Sequence, residues 1–168
     1  MITDLLIITI FPAAMALAAA TDLFSMTVPN WILLLLIVGF AVLAPVVGLG
    51  WTDVGLHVAF AAAALVVTFV MFSFDWIGGG DAKLFAATSL WLGPEQMLIY
   101  AVYAALIGGA LILLILGLRS VPLPAVLSSQ GWLARLHSPK EGVPYGIALA
   151  AAGLLVYPDT AFMAALGA

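Results

Sequence analysis

In residues 74–85, FDWIGGGDAKLF, three consecutive glycines, an aspartate and a lysine stand between two apolar runs. The surroundings make this break unusual. Of 168 residues, 66% are hydrophobic and only 7% are charged, and the mean hydropathy is +1.30. A soluble domain is about 45–50% apolar and about 25% charged. The chain is therefore read as an integral membrane protein. Because its apolar runs are too many for one anchor, it is read as crossing the bilayer several times.

Working outward from the break, long apolar windows fall at about 5–21, 31–50, 54–73, 82–92, 95–117 and 143–157. They predict an all-α polytopic membrane helix bundle of about six transmembrane helices, forming one membrane-embedded domain over 1–168. Helices are expected because they satisfy their own backbone polar groups in lipid. The one long connection, 119–141, carries Pro122 and Pro124, which end the preceding helix. Beyond them, Trp132, Leu133 and Leu136 alternate with Arg135 and His137, which suits either a short interfacial helix or a solvated loop.

With the N-terminus outside and sides alternating, the inner connections hold Lys83, Arg119, Arg135 and Lys140, all four basic residues of the chain. The outer segments hold Asp4, Asp53, Glu95 and Asp159. The positive-inside rule then selects a periplasmic N-terminus. The first segment ends AMALAAAT, like a signal-peptidase site, but MITDLL lacks a basic n-region. It is expected to remain as the first membrane helix.

Several function classes drop out. Without cysteine there is no thiolate nucleophile, disulfide framework or cysteine-ligated zinc. His57 and His137 have no metal-ligand spacing, and no cofactor is expected. The pI near 4.6 argues against a nucleic-acid partner.

The expected inner side also carries Asp22, Asp75, Asp81 and Glu141. Asp22 closes the first helix. Asp81 opens a helix that is only about 18 Å long from Asp81 to Leu92, too short for a hydrocarbon core of about 30 Å. Either that helix continues through Gly93-Pro94, or Asp81 starts below the membrane surface, where a glycine-rich backbone is tolerated beside protein or a wet cavity. Singly, each acid has a plain structural reading: Asp81 as a helix cap, Asp22 as an interfacial residue. Together on one side they suggest a chemistry. Two carboxyls sharing a site repel, so one stays protonated while the other is ionised. The ionised one takes a proton from water, and the protonated one stabilises the oxyanion of a peptide carbonyl.

GGGD within GGGDAKL (78–84) resembles the GxGDxKL signature of type IV prepilin peptidases, which are GxGD aspartic membrane proteases. DLFSMTVPN (22–30) resembles that family's aspartate followed by Pro-Asn, and VPYGIAL (143–149) its proline-aromatic-glycine motif. GxGD alone is a weak signal; three motifs in order on six spans are specific. The resemblance implies Asp22 and Asp81 as the catalytic pair and Gly78 and Gly80 as a flexible turn. Lys83 falls on the motif lysine, either snorkelling to the interface or biasing Asp81. Pro29 and Asn30 start the second helix, Asn30 either capping it or positioning Asp22. Pro144 and Gly146 shape the start of the last helix. Asp75 and Glu141 have no counterpart in the signature.

The implied activity is removal of a short basic leader from a prepilin or pseudopilin at the cytoplasmic face of the bacterial inner membrane. Longer members carry an N-terminal cysteine-containing region and also methylate the product. This chain lacks it and is similar to the short Flp/Tad-type form, so methylation is not expected. Two other classes stay open: a small proton-coupled transporter, and a non-catalytic membrane assembly subunit. A carrier should show paired broken helices in related halves, yet only one break here is glycine-rich. The small-residue run LIGGAL (106–111) suits packing within the chain or between copies of it as a homo-oligomer.

Overall fold

The computed structural model describes residues 1–124 and 129–166. Within them the chain is helical throughout: α1 (Ile2–Ser25), α2 (Asn30–Val46), α3 (Trp51–Ser73), α4 (Gly79–Arg119), α5 (Gly131–His137), α6 (Gly146–Val156), a 3₁₀ turn (Tyr157–Asp159) and α7 (Ala161–Ala164). Three helices, α1, α3 and α4, are long and apolar enough to cross a membrane. The stretches Asn30–Val46 and Gly146–Asp159 are shorter apolar helices.

The 41 residues of α4 are two helical arms, not one rod. Gly93 adopts φ 71° and ψ −177°, a conformation that essentially only glycine reaches, and Pro94 follows without an N–H to continue the ladder. The chain doubles back there. Phe85 and Tyr100, one on each arm, stack with ring centroids 4.9 Å apart. Of the two readings open from the sequence, the helix therefore does not run on through Gly93-Pro94. The first arm, from Gly79 to the break at Gly93, is short, about 20 Å at 1.5 Å per residue.

His57 of α3 secures the reversal. Its Nδ1 lies 2.8 Å from the Leu90 carbonyl, one of the last acceptors of the first arm, which have no helical partner. Its ring fills the space where a Cβ on Gly93 would sit.

Below this end lies an aromatic core. Trp91 is fully buried and donates Nε1–H to the Leu36 carbonyl at 2.9 Å, while Phe11, Phe40, Tyr157 and Phe162 surround it. Such ring pairs contribute about 0.5–1.5 kcal/mol each beyond area burial. Tyr157 also donates to the Ile7 carbonyl at 2.8 Å, tying the 3₁₀ turn after α6 to α1.

Small residues let α1 and α6 approach. Ala14 and Ala18 on α1 and Ala148 and Ala152 on α6 are buried to 0% exposure. Helix association in lipid depends on this close packing, because lipid tails are as apolar as the side chains. The outer faces carry exposed Leu34, Val38, Val66, Phe69, Leu113 and Leu116, an apolar surface that suits lipid contact.

The short-helix reading of the 119–141 segment is realised as α5, although 125–128 lie outside the described residues. Trp132 meets Phe24 edge-on at 5.5 Å, so this helix rests on the end of α1.

Candidate active site

Asp22 lies in the last turn of α1 and is buried, with 5% exposure. Past it, Met26 takes a left-handed conformation (φ 54°) and donates to the Asp22 carbonyl at 2.8 Å, which stops the helix. A carboxylate in the final turn of a helix meets the negative end of the dipole. The start of α6 offsets this: the Gly146 N–H donates to Asp22 Oδ2 at 2.7 Å, so a positive helix terminus faces the carboxyl. A Cβ on Gly146 would stand 2.8 Å from that oxygen, which leaves room only for glycine.

Asp81 is the third residue of α4, after Gly79 and Gly80, with Gly78 as the N-cap. Its carboxyl turns back toward the Gly78 backbone, as an acidic residue at the third position of a capping box does. A Cβ on Gly78 would lie 2.9 Å from Asp81 Oδ2. Gly80 lies where its Cβ would touch buried Val28 at 3.4 Å, so the 22–30 turn and the glycine turn pack on each other. The Asp22 and Asp81 carboxyls lie within electrostatic reach of one another. Two acids with α2 and α3 between them in sequence thus lie near one another at one end of the bundle, Asp22 held by the Gly146 amide and Asp81 beside the Gly78 backbone.

Of the turn expected at Gly78 and Gly80, Gly78 is the N-cap of α4 and Gly80 lies in its first helical turn. None of the three glycines has a positive φ; the left-handed residue of that loop is Asp75, at φ 57°. The glycines serve close approach of Asp81, Phe72 and Val28 to the backbone.

Asp81 also lines a mostly apolar groove of about 200 Å³ with Thr68, Met71, Ile77, Phe85 and Tyr145. Thr68 holds the groove's wall to its floor, donating to the carbonyls of Ala64 at 2.8 Å and Ala82 at 3.2 Å. Tyr145 spans from the start of α6 to the second arm of α4, with its hydroxyl donating to the Ala104 carbonyl at 3.0 Å. Its ring occupies the hollow over Gly108, so that part of the LIGGAL run packs within the chain.

Residues 9–113, more than half of the chain, match the family model of the type IV leader peptidase family. The chain belongs to the type IV leader peptidase family. The match includes Asp22 and Asp81, whereas the VPYGIAL motif lies beyond it. No curated protein and no solved structure matches the chain. Membership makes this a leader-peptidase-like protease at the level of the family.

The other motif residues of this leader-peptidase relative fall around the acids. Pro29, not Asn30, is the N-cap of α2, and Asn30 makes no capping bond. Asn30 Oδ1 instead accepts from Lys83 Nζ at 3.4 Å, a long, exposed link between the two motifs. The capping role expected for Asn30 is therefore replaced by a bridge to Lys83. Pro144 is buried, and its carbonyl accepts from the Ile147 N–H at 3.3 Å in the first turn of α6. Gly146 does more than shape that turn, since it is a direct partner of Asp22. Asp75 is exposed. Among the described residues, no three His or acidic side chains form a group that could hold a metal ion.

Proposed function

We propose that this chain is an aspartic endopeptidase in which Asp22 and Asp81 together activate water against a peptide bond. The observation that carries this reading is that the two carboxyls lie within electrostatic reach of each other at one end of the bundle, with the Gly146 N–H bonded to Asp22 and the Gly78 backbone beside Asp81. The ionised member of the pair takes a proton from water as the water oxygen bonds to the peptide carbonyl carbon. The protonated member gives its proton to the carbonyl oxygen, forming a tetrahedral diol. Collapse of the diol breaks the C–N bond, and the leaving nitrogen takes the proton that came from water.

The substrate is proposed to be a prepilin-like protein cut behind its short basic leader, with Flp/Tad-type pilins as the class. Both arms of α4 are taken as spans, giving six crossings with the N-terminus outside. Lys83, Arg119, Arg135 and Lys140 all belong to segments at the Asp22–Asp81 end, and by the positive-inside rule this supports a reading in which that end faces the cytoplasm from the inner membrane. A basic leader approaching there meets two acids in a low-dielectric setting, and the apolar groove beside Asp81 adjoins the bilayer-facing surface of α3. Family membership favours this reading over a transporter or an inert assembly subunit. Incubating the protein with a leader-bearing prepilin and weighing the products tests it: loss of the leader mass is expected, and an uncut substrate would count against it.

A further inference from the structure

Arg119 ends α4, and its half-buried guanidinium gathers the returning chain. Nε donates to the Leu136 carbonyl at 2.8 Å, and Nη2 donates to the carbonyls of Glu141 at 3.0 Å and Gly142 at 2.9 Å. Among the described residues no carboxylate lies within ion-pair distance of it. Its bonds go to three backbone oxygens, so it fixes the path of the segment and not a particular side chain. A planar fork of five donors suits this task, and a lysine ammonium does not reproduce it.

The gathered segment leads directly into Pro144, Tyr145 and Gly146, whose N–H holds Asp22. Its other flank is anchored as well. Arg135 donates to the Phe24 carbonyl, and Trp132 rests on the Phe24 ring. Phe24 belongs to the last turn of α1, two places past Asp22, where carbonyls lack helical partners. The two elements that meet at Asp22 are thus both tied to one segment, and Arg119 is the tie to α4.

We propose that Arg119 is a positioning residue for the reaction. By holding the carbonyls of Leu136, Glu141 and Gly142, it keeps the Gly146 N–H on Asp22 and the Asp22 carboxyl turned toward Asp81. The proposal rests on the peptidase reading of that pair.

The test uses the full chain in detergent, comparing wild type with Arg119→Met and Arg119→Lys. Hydrogen exchange is read on peptides spanning 142–149, and kcat and KM are read on a leader-bearing prepilin. In Arg119→Met, exchange in that peptide rises about tenfold or more, as expected for loss of charged hydrogen bonds. Its kcat falls about 10- to 100-fold through misplacement of the carboxyl, and KM stays within about twofold because substrate contacts remain. Arg119→Lys lies between the two.

Unchanged exchange with unchanged kcat in Arg119→Met would overturn the proposal, as would an effect confined to KM. Should the methionine variant fail to fold, the lysine variant decides, because wild-type exchange and turnover in it would show that the fork is dispensable. A wild type that cuts no prepilin would sink the peptidase reading instead. The exchange measurement would still report whether Arg119 holds Gly146.

Discussion

The Gly146 amide donates a 2.7 Å hydrogen bond to Asp22 Oδ2 across 124 positions of sequence. That contact joins the last turn of α1 to the first turn of α6 and sets the direction of a carboxyl that has 5% exposure. The short first arm of α4 brings Asp81 within electrostatic reach of that carboxyl. The site is therefore built from three helix termini, with the Gly146 amide holding Asp22 and the Gly78 backbone close against Asp81. Few other side chains are needed to orient them.

Gly146→Ala is the sharpest probe of that contact. A methyl there would stand 2.8 Å from Asp22 Oδ2 and 3.1 Å from its Cβ, so the carboxyl must swing away or α6 must shift. Cleavage is expected to fall about 100-fold, the scale of a misplacement near 1 Å, with helix content by circular dichroism unchanged. Gly117→Ala, whose new methyl meets nothing within 4 Å, is the control and should retain wild-type turnover.

Gly93→Ala tests the reversal of α4. Alanine at φ 71° and ψ −177° is strained by about 1–3 kcal/mol, and its methyl would lie 2.5 Å from the His57 ring. The midpoint of unfolding in mixed micelles should drop accordingly. Gly109→Ala, in open space on the second arm, should leave the midpoint unchanged or slightly raised. Equal midpoints for the two variants would mean that the hairpin does not depend on this glycine.

Asp75 separates the candidate pair from a merely acidic end. It is exposed and lies in the loop that leads into α4 and Asp81, yet it belongs to neither contact network. Asp75→Asn should keep most of the cleavage rate, and complete loss would require the site to be redrawn around it.

Chelators and thiol reagents address the chemistry itself. A two-carboxyl mechanism acts without metal or thiolate, and the chain has no cysteine. Turnover should be unaffected by a divalent-metal chelator or by an alkylating agent. Inhibition by the chelator would point to a metal-assisted route.

Much of the fold was legible because apolar windows and glycine-proline breaks are direct physical signals. The windows at 54–73 and 95–117 correspond closely to α3 and the second arm of α4. Boundaries were less visible. The window 31–50 overran α2, which stops at Val46, because Val47 and Leu49 are apolar although their backbone has left the helix.

The two acids stood out by position, since an ionisable group beside an apolar run is costly. What held them did not stand out. That the glycines at 78–80 are sites of close approach could not be read from their spacing, and a backbone amide such as that of Gly146 leaves no trace in side-chain chemistry. Asn30 looked like a cap because caps are local, whereas its partner Lys83 is 53 positions away. Arg119 read only as a topology marker, because its acceptors are carbonyls that every residue carries.

The most direct test of the Asp22–Asp81 pair is an intact-mass cleavage assay. Purified protein in detergent is mixed with a prepilin bearing a basic leader, and wild type is compared with Asp22→Asn and Asp81→Asn. The asparagines keep the shape and an oxygen acceptor but can neither take nor give the proton. Loss of a leader-sized mass with wild type, and with neither folded variant, is the expected result. Near-normal cleavage by either variant would contradict the two-aspartate assignment.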